Sequence, residues 1–528
     1  MQQAVDSPNQ ELQRGYALLG EGRTAEALQL AASLAAAHAD NARVLLFASE
    51  AHSANGEPEA ALPWIDRAVA ASGGHPSLKL AKVRVLLHLR RRSEAAALAA
   101  EAAQASTDGG VVWQAGKLLN SCNRLDQAVA QYERARSLAG DHPGLLYDLA
   151  VARFFHGDFE QAERDLDRVL ELQPQAGHAL YRRATLRTQT RERNHVADID
   201  RRLTAGIREP AHEAWALYAL GKELEDLGQY EASFVAFAAG ARKQRGTLAQ
   251  YDVAEEVDAQ RALREAWTAA VMARPDAGCA DDGAIFIVGM PRSGTTLVER
   301  LLVQSGQVRS AGEMPDFANL FGMAAQRRVD EGLASTSAQA STAIDFAALG
   351  REYVRGAREA ADGSARFIDK TPFNYLYCGP IAKALPDARI LHLTRDPLDA
   401  CYAVFKTLFF STWNFSYDLD ELAEYYIAYR ETMRHWHEVM PGRILEVAYE
   451  NLVSDTGNQA RRIYEWCGLE WNPQALAVPQ TGQVAFKTAS AAQVREPVHQ
   501  RSVSSAQRHR ERLAPLIRKL AAAGILKE

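Results

Sequence analysis

Cysteine is scarce in this chain and never clustered. Cys122, Cys279, Cys378, Cys401 and Cys467 are the only five in 528 residues. No pair has zinc-ligand or CxxC spacing, which excludes a disulfide framework and a cysteine metal site and suits packed thiols in a reducing compartment. Long apolar runs are missing too. None approaches the ~20 residues that cross a bilayer, so no membrane span is expected. The opening "MQQAVDSPNQELQRG" lacks a basic n-region and an apolar h-region, so no signal peptide is expected and the location expected is cytoplasmic. Charge of one sign is also in short supply: 60 Lys and Arg against 66 Asp and Glu give a formal net charge of -6. That balance argues against nucleic acid as a partner. A chain of this length exceeds one ordinary core, and two or more domains are expected.

What is present, first, is a repeat. The segments "AEAL", "EAAL", "EAAAL", "DQAV", "EQAE", "VADID" and "EASF" align on Ala27, Ala60, Ala95, Ala128, Ala162, Ala197 and Ala232. Their spacings are 33, 35, 33, 34, 35 and 35 residues, close to the ~34 of a tetratricopeptide repeat. Turn formers precede most copies, and Pro76, Pro143, Pro174 and Pro210 fall between units. The pattern predicts about seven helical hairpins over residues 1–250, stacked as an α-solenoid in which small alanines let paired helices approach. This region resembles tetratricopeptide repeat proteins. Such arrays commonly grip peptides or proteins; a homodimerisation scaffold is the other use open to it.

Residues 251–283 read as a helical linker that ends in "RPDAGCADDG", a run of turn formers and charges. From 284 to 528 short apolar strands alternate with helices: "AIFIV", "RFID", "ARILHLT" and "RILEVAYENLV". Alternation of this kind predicts a three-layer α/β domain with a parallel sheet and ligands at the carboxyl ends of the strands.

The first of these strands runs into "GMPRSGTTLVERLL". Gly289 and Gly294 have P-loop spacing, yet Thr295 stands where the lysine belongs. Backbone N–H groups near Gly294, a helix starting at Thr295, the hydroxyls of Ser293, Thr295 and Thr296 and the charge of Arg292 together make an anion site. Without the lysine, hydrolysis of a nucleoside triphosphate fits poorly.

"FIVGMPRSGTTLVERLL" resembles the 5'-phosphosulfate loop of sulfotransferases that use 3'-phosphoadenosine 5'-phosphosulfate (PAPS). Further matches follow in order: "SAGEMPDF" with Glu313, "FIDKTPFNY" with Lys370, "LHLTRDPLDACYA" with Arg395, "VAYENLV" with Tyr449 and "TASAAQVREPV" with Ser490. The likeness runs from about Ile285 to the C-terminus. It is greatest to tyrosylprotein sulfotransferases and to bacterial proteins that join tetratricopeptide repeats to a sulfotransferase domain. The resemblance implies that Arg292, Ser293, Gly294, Thr295 and Thr296 hold the 5'-phosphosulfate. It implies Lys370 as the charge that meets the bridging oxygen and Glu313 as general base toward the acceptor. Arg395 is implied for the 3'-phosphate, through its guanidinium fork, and Tyr449 and Ser490 for the nucleotide. His392 lies mid-strand and reads as a packed residue, not as the base. Two departures stand out. Ala403 occupies the place where the family usually has a serine eight residues after the arginine, and the tail "RSVSSAQRHR" lacks the family's tryptophan.

The function expected is transfer of a sulfuryl group from PAPS to a hydroxyl, releasing 3'-phosphoadenosine 5'-phosphate (PAP), with no metal required. A peptide or protein tyrosine is one acceptor; other phenols, sugars and lipid hydroxyls stay open. Two rivals remain: a non-catalytic repeat scaffold with a degenerate nucleotide domain, and a P-loop kinase for a small molecule.

Overall fold

A computed structural model of the chain describes residues 8–410, 412–477, 488 and 492–526. It divides into two compact units, Met1–Ala152 and Arg153–Glu528.

In the first unit, helices pair as hairpins: Pro8–Gly20 with Thr24–Ala37, Ala42–Ala54 with Pro58–Ala71, Pro76–His88 with Arg92–Gln104, and Gly109–Ser121 with Leu125–Ala139. The repeat alanine sits early in the second helix of each pair, and Ala27, Ala95 and Ala128 are fully buried. In the second hairpin the buried residue is Ala61, one place after the Ala60 that the spacing singles out. That shift brings its spacing to 34 residues on either side.

In the second unit Pro210–Asp226 and Tyr230–Gly246 pair as a further hairpin, Gly177–Ala184 and Val196–Ala205 each pack on Pro210–Asp226, and Phe159–Leu172, which packs on Gly177–Ala184, carries buried Ala162. Here too the register differs. Ala197 and Ala232 face out, and Ile199 and Ser233 are the buried residues.

Five strands form one parallel sheet in the order β2-β3-β1-β4-β5: β1 Ala284–Gly289, β2 Arg309–Gly312, β3 Phe367–Asp369, β4 Arg389–Thr394 and β5 Ile444–Ala448. Every residue of β1 is buried, as a central parallel strand covered on both faces requires. Two details depart from the sequence reading. β2, "RSAG", has no β-branched or aromatic residue and leaves no strand signal. The fourth apolar stretch is strand only to Ala448, after which Tyr449–Ser454 is helical.

The late hairpins pack on the α/β layers within this unit. Tyr218 donates its hydroxyl to the Phe405 carbonyl (3.1 Å), and Leu408 N–H donates to the Tyr181 oxygen (3.1 Å). Arg245 forks onto Glu421, and Lys406 Nζ reaches both oxygens of Glu225 at 2.8 Å. Trp267, beyond the hairpins, is fully buried against Trp436 and Phe346. Of the cysteines, all are free thiols, and four of the five are buried.

Candidate active site

Parallel strands aim their carboxyl ends the same way, so residues just past those ends converge. Four of the five strands here stop immediately before a residue that the sequence reading singled out, and β1 stops three residues before Arg292. Gly289 leads into the loop 290–294, Gly312 into Glu313, Asp369 into Lys370, Thr394 into Arg395 and Ala448 into Tyr449. Strand order sorts them. Glu313 and Lys370 hang from β2 and β3, the loop from central β1, and Arg395 and Tyr449 from β4 and β5.

The loop geometry explains its glycines. Gly294 has φ 102°, and a Cβ there would meet Tyr449 Cδ2 at 2.6 Å. Arg292 also lies in the left-handed region at φ 65°, a conformation that non-glycine residues hold only where the surroundings enforce it. Ser293 Oγ donates to the Met290 carbonyl at 2.7 Å and braces the turn. Thr295 and Thr296 open the helix Thr295–Val303, leaving its first N–H groups directed at the space above the loop. Burial lowers the Arg292 pKa, with Arg395 adding to that and the Tyr181 and Tyr449 rings opposing it.

On the β2–β3 side the ends are stitched together. Lys370 N–H donates to the Gly312 carbonyl (3.0 Å) and Met314 N–H to Thr371 Oγ1 (2.7 Å). Lys370 Nζ donates to Glu313 Oε1. Lys370 is almost fully buried while the Glu313 side chain is 45% exposed, so the pair joins an internal cation to an accessible base. Burial opposes charge on Lys370, but Glu313 and Glu299 outweigh it and raise its pKa. Glu299, buried and hydrogen-bonded to Ser310 Oγ, is a second carboxylate behind the lysine. Asp369 anchors the turn. It accepts from Tyr353 (2.7 Å), Thr371 (2.6 Å) and Asn374 (3.1 Å), and burial pushes its carboxyl up to about 6 against those hydrogen bonds.

On the β4–β5 side, Arg395 Nη1 donates to the Arg292 carbonyl (3.0 Å) and Nη2 to the Ser502 carbonyl (2.6 Å), while its guanidinium lies 5.0 Å from the Tyr449 ring centroid. The neighbouring acids are occupied elsewhere: Asp396 caps the helix Pro397–Phe405, and Asp399 accepts from Ser504 N–H and Ala506 N–H. Ala403, where the family places a serine, is buried. Ser490 lies outside the described residues.

Arg300 is a site residue that the sequence reading missed. It sits one turn after Thr296 on the same helix face and lines the same cavity as Arg292, Arg395 and Tyr449. Its Nη1 donates to the carbonyls of Val494 and Glu496, and its buried Nε and Nη2 have no partner among the described residues. The spacing Thr296 to Arg300 was the available signal. His392 is packed: burial, with His437 and Arg430 adding to it, pushes its pKa down to about 3.

A second cleft opens beside Glu313 and the loop. One wall is Leu408, Phe409, Phe410 and Trp413; another comes from the repeat helices, with Phe155, Tyr181, Arg182 and Thr185.

Residues 284–473 match the sulfotransferase family and residues 123–184 the tetratricopeptide repeat. An uncharacterized protein of Aquifex aeolicus is 26% identical over 76% of this chain, and the chain spans about half (53%) of that protein's length. A Caenorhabditis briggsae protein provisionally named a protein-tyrosine sulfotransferase is 24% identical, over 36% of this chain and 68% of that protein. Among solved structures, part of a tetratricopeptide repeat protein from Cytophaga hutchinsonii is 15% identical (TM-score 0.35), covering 44% of this chain and 93% of that one. A thermophilic repeat protein of Thermus thermophilus is 19% identical (TM-score 0.28), over 34% of this chain and 98% of that one. Among the described residues no helix is long and apolar enough to cross a membrane. With the sequence motifs lying at the ends of a parallel sheet, residues 284–473 are a sulfotransferase-family domain, joined to tetratricopeptide repeats that precede it in the chain.

Proposed function

We propose that the protein is a cytoplasmic, PAPS-dependent sulfotransferase whose acceptor is a hydroxyl on a peptide or protein, a tyrosine phenol among them. The supporting observation is the convergence of Glu313, Lys370, the 290–296 loop, Arg395 and Tyr449 at five adjacent strand ends. The acceptor oxygen attacks sulfur as Glu313 takes its proton. The bond from sulfur to the bridging oxygen breaks, and its electron pair goes to the departing PAP. Lys370 leaves Glu313 to meet the charge growing on that oxygen, which frees the carboxylate at the moment it is needed. The free Nε and Nη2 of Arg300, with Arg395 Nε, supply cationic donors to the nucleotide's phosphates where Ala403 offers none.

The second cleft supports a peptide acceptor. Arg182 stands in it with its guanidinium 5.0 Å from the Phe154 ring centroid. Neighbouring Arg183 pairs with Asp167 and Asp198 and Arg187 with Glu163, whereas Arg182 has no carboxylate partner among the described residues, and its Nε, like theirs, is buried without a hydrogen bond. The scaffold reading has one observation in its favour: both Nη atoms of Arg395 already donate to carbonyls. Calorimetry with PAP, using ATP as control, followed by transfer of labelled sulfate from PAPS, tests the proposal. Binding of PAP but not ATP, with transfer, is expected. PAP binding without transfer to any hydroxyl would favour the scaffold, and tighter binding of ATP would favour the kinase.

A further inference from the structure

On the sheet face covered by the helix Leu419–Val439, three metal-ligating side chains from three elements meet. His392 on β4 and Glu446 on β5 are register partners, so their side chains share a face. His437, in the last turn of the covering helix, approaches the same carboxylate. His392 Nδ1 is 3.7 Å and His437 Nε2 3.9 Å from Glu446 Oε2, and the ligand atoms of all three lie within 4.8 Å of one another. Those separations are too long for direct hydrogen bonds. Both nitrogens are buried and have no hydrogen-bond partner among the described residues. The His392 residue itself is 2% exposed. Two orphaned imidazole nitrogens converging on one carboxylate oxygen need an occupant between them.

We propose that His392, His437 and Glu446 bind one divalent transition cation of the zinc class. The donor set, two imidazole nitrogens and one carboxylate, is one that zinc takes. Tetrahedral bonds of ~2.0–2.1 Å set ligand atoms roughly 3.4 Å apart, so the site completes on closure by a few tenths of an ångström at the carboxylate and by up to about 1.4 Å between the two imidazoles. The outer support is in place: His392 Nε2 lies 2.6 Å from the Tyr429 hydroxyl, and by donating its proton there it turns the Nδ1 lone pair to the ion. Glu446 and His437 reach the surface, with side chains 56% and 36% exposed, which gives an entry path and a fourth position for water. Arg430 acts on both His392 and Glu446, and it hydrogen-bonds to Tyr426. The ion is a clip, remote from sulfuryl transfer. It ties β4 to β5 and to the covering helix three residues before Arg395 and three before Tyr449.

The test uses the full chain, stripped with a chelator and dialysed. Co²⁺ titration followed by visible absorption, then Zn²⁺ competition and elemental analysis, reads the site. About one ion per chain is expected, with the d–d bands of a four-coordinate nitrogen–oxygen site, and a rise in thermal midpoint with Zn²⁺. His437→Ala and Glu446→Gln, both at the surface, are expected to weaken binding at least ~10–100-fold and abolish the thermal shift, whereas exposed His88→Ala changes neither. Binding equal in wild type and both variants, or no Co²⁺ bands in wild type, would overturn the proposal.

Discussion

The early and late hairpins are one sequence device with two different surfaces. The helix Arg92–Gln104 buries Ala95, Ala96, Ala99, Ala102 and Ala103, small side chains that serve close helix packing alone. The helices Pro210–Asp226 and Tyr230–Gly246 carry Tyr218, Phe234 and Phe237, all buried, and two of these rings lie against the α/β layers: Tyr218 on Tyr417, and Phe234 on Tyr402 and Phe405. Period alone reveals that a hairpin forms. The rings that reach Tyr402, Phe405 and Tyr417 reveal a second surface to cover, since early hairpins bury Phe47 and Tyr132 as well, against Tyr16 and Gly116 of their own neighbours.

Truncation breaks this comparison most sharply. Removing residues 1–142 is expected to leave a folded protein that still transfers sulfate to a simple phenol. Removing 1–250 bares the faces of Tyr402 and Phe405 that Phe234 covers and is expected to give aggregated chain, read by sedimentation and solubility. Equal behaviour of the two truncations would mean the late hairpins are as dispensable as the early ones.

Within the late region, chemistry separates from binding. Glu313→Gln is expected to slow single-turnover transfer by ~10²–10⁴-fold while PAP affinity stays near wild type. Arg292→Ala is expected to do the reverse, weakening PAP about tenfold or more through loss of a charge-assisted contact worth ~1.5–3 kcal/mol. Calorimetry beside transfer rates decides both, and a Glu313→Gln protein with normal transfer would remove it as the base.

Arg182→Gln is a smaller and more pointed change. KM for a peptide acceptor bearing carboxylates is expected to rise several-fold, with kcat and the KM of a neutral phenol little altered. The same exchange at Arg84, on an exposed early helix position, should change neither.

The smallest effect concerns acid. Burial raises the Glu225 carboxyl, but Lys406 and Tyr402 more than offset it and hold its pKa below the ordinary value. Its contribution is therefore complete above the ordinary carboxylate pKa and lost as pH falls through the lowered one. Thermal midpoints measured from pH 6 to about pH 3 should show a steeper acid decline in wild type than in Lys406→Met, in which that lowering partner is gone.

Much of this was legible because parallel strands and phosphate loops need particular residues. β1, β3 and β4 carry apolar runs that periodicity detects, and Gly294 is demanded by the approach of Tyr449. β2 was invisible, since four residues with no branched side chain hold their place through β3 alone. Arg300 was hidden because a buried cation on an amphipathic helix looks like any helix arginine until its neighbours are known. The alanine register slipped at Ala60 and Ala232 because runs such as "EAAL" offer two equivalent small residues. Composition marks a linker at 274–283, yet the compact units part between Ala152 and Arg153, since contact between hairpin and sheet leaves no compositional trace.

The strand order also acts as a ruler. With neighbours ~4.8 Å apart, the four intervals from β2 to β5 span roughly 19 Å. On the proposed function, a ligand reaching from Glu313 past the β1 loop to the β5 side lies across the sheet's edge, its scissile bond over the central strands. Lengthening or shortening an acceptor then alters only what happens at the β2 margin, and the donor's registration on the opposite half is undisturbed. On the proposed function, such a layout lets acceptors vary on one flank of the sheet while the loop, Arg395 and Tyr449 stay unchanged.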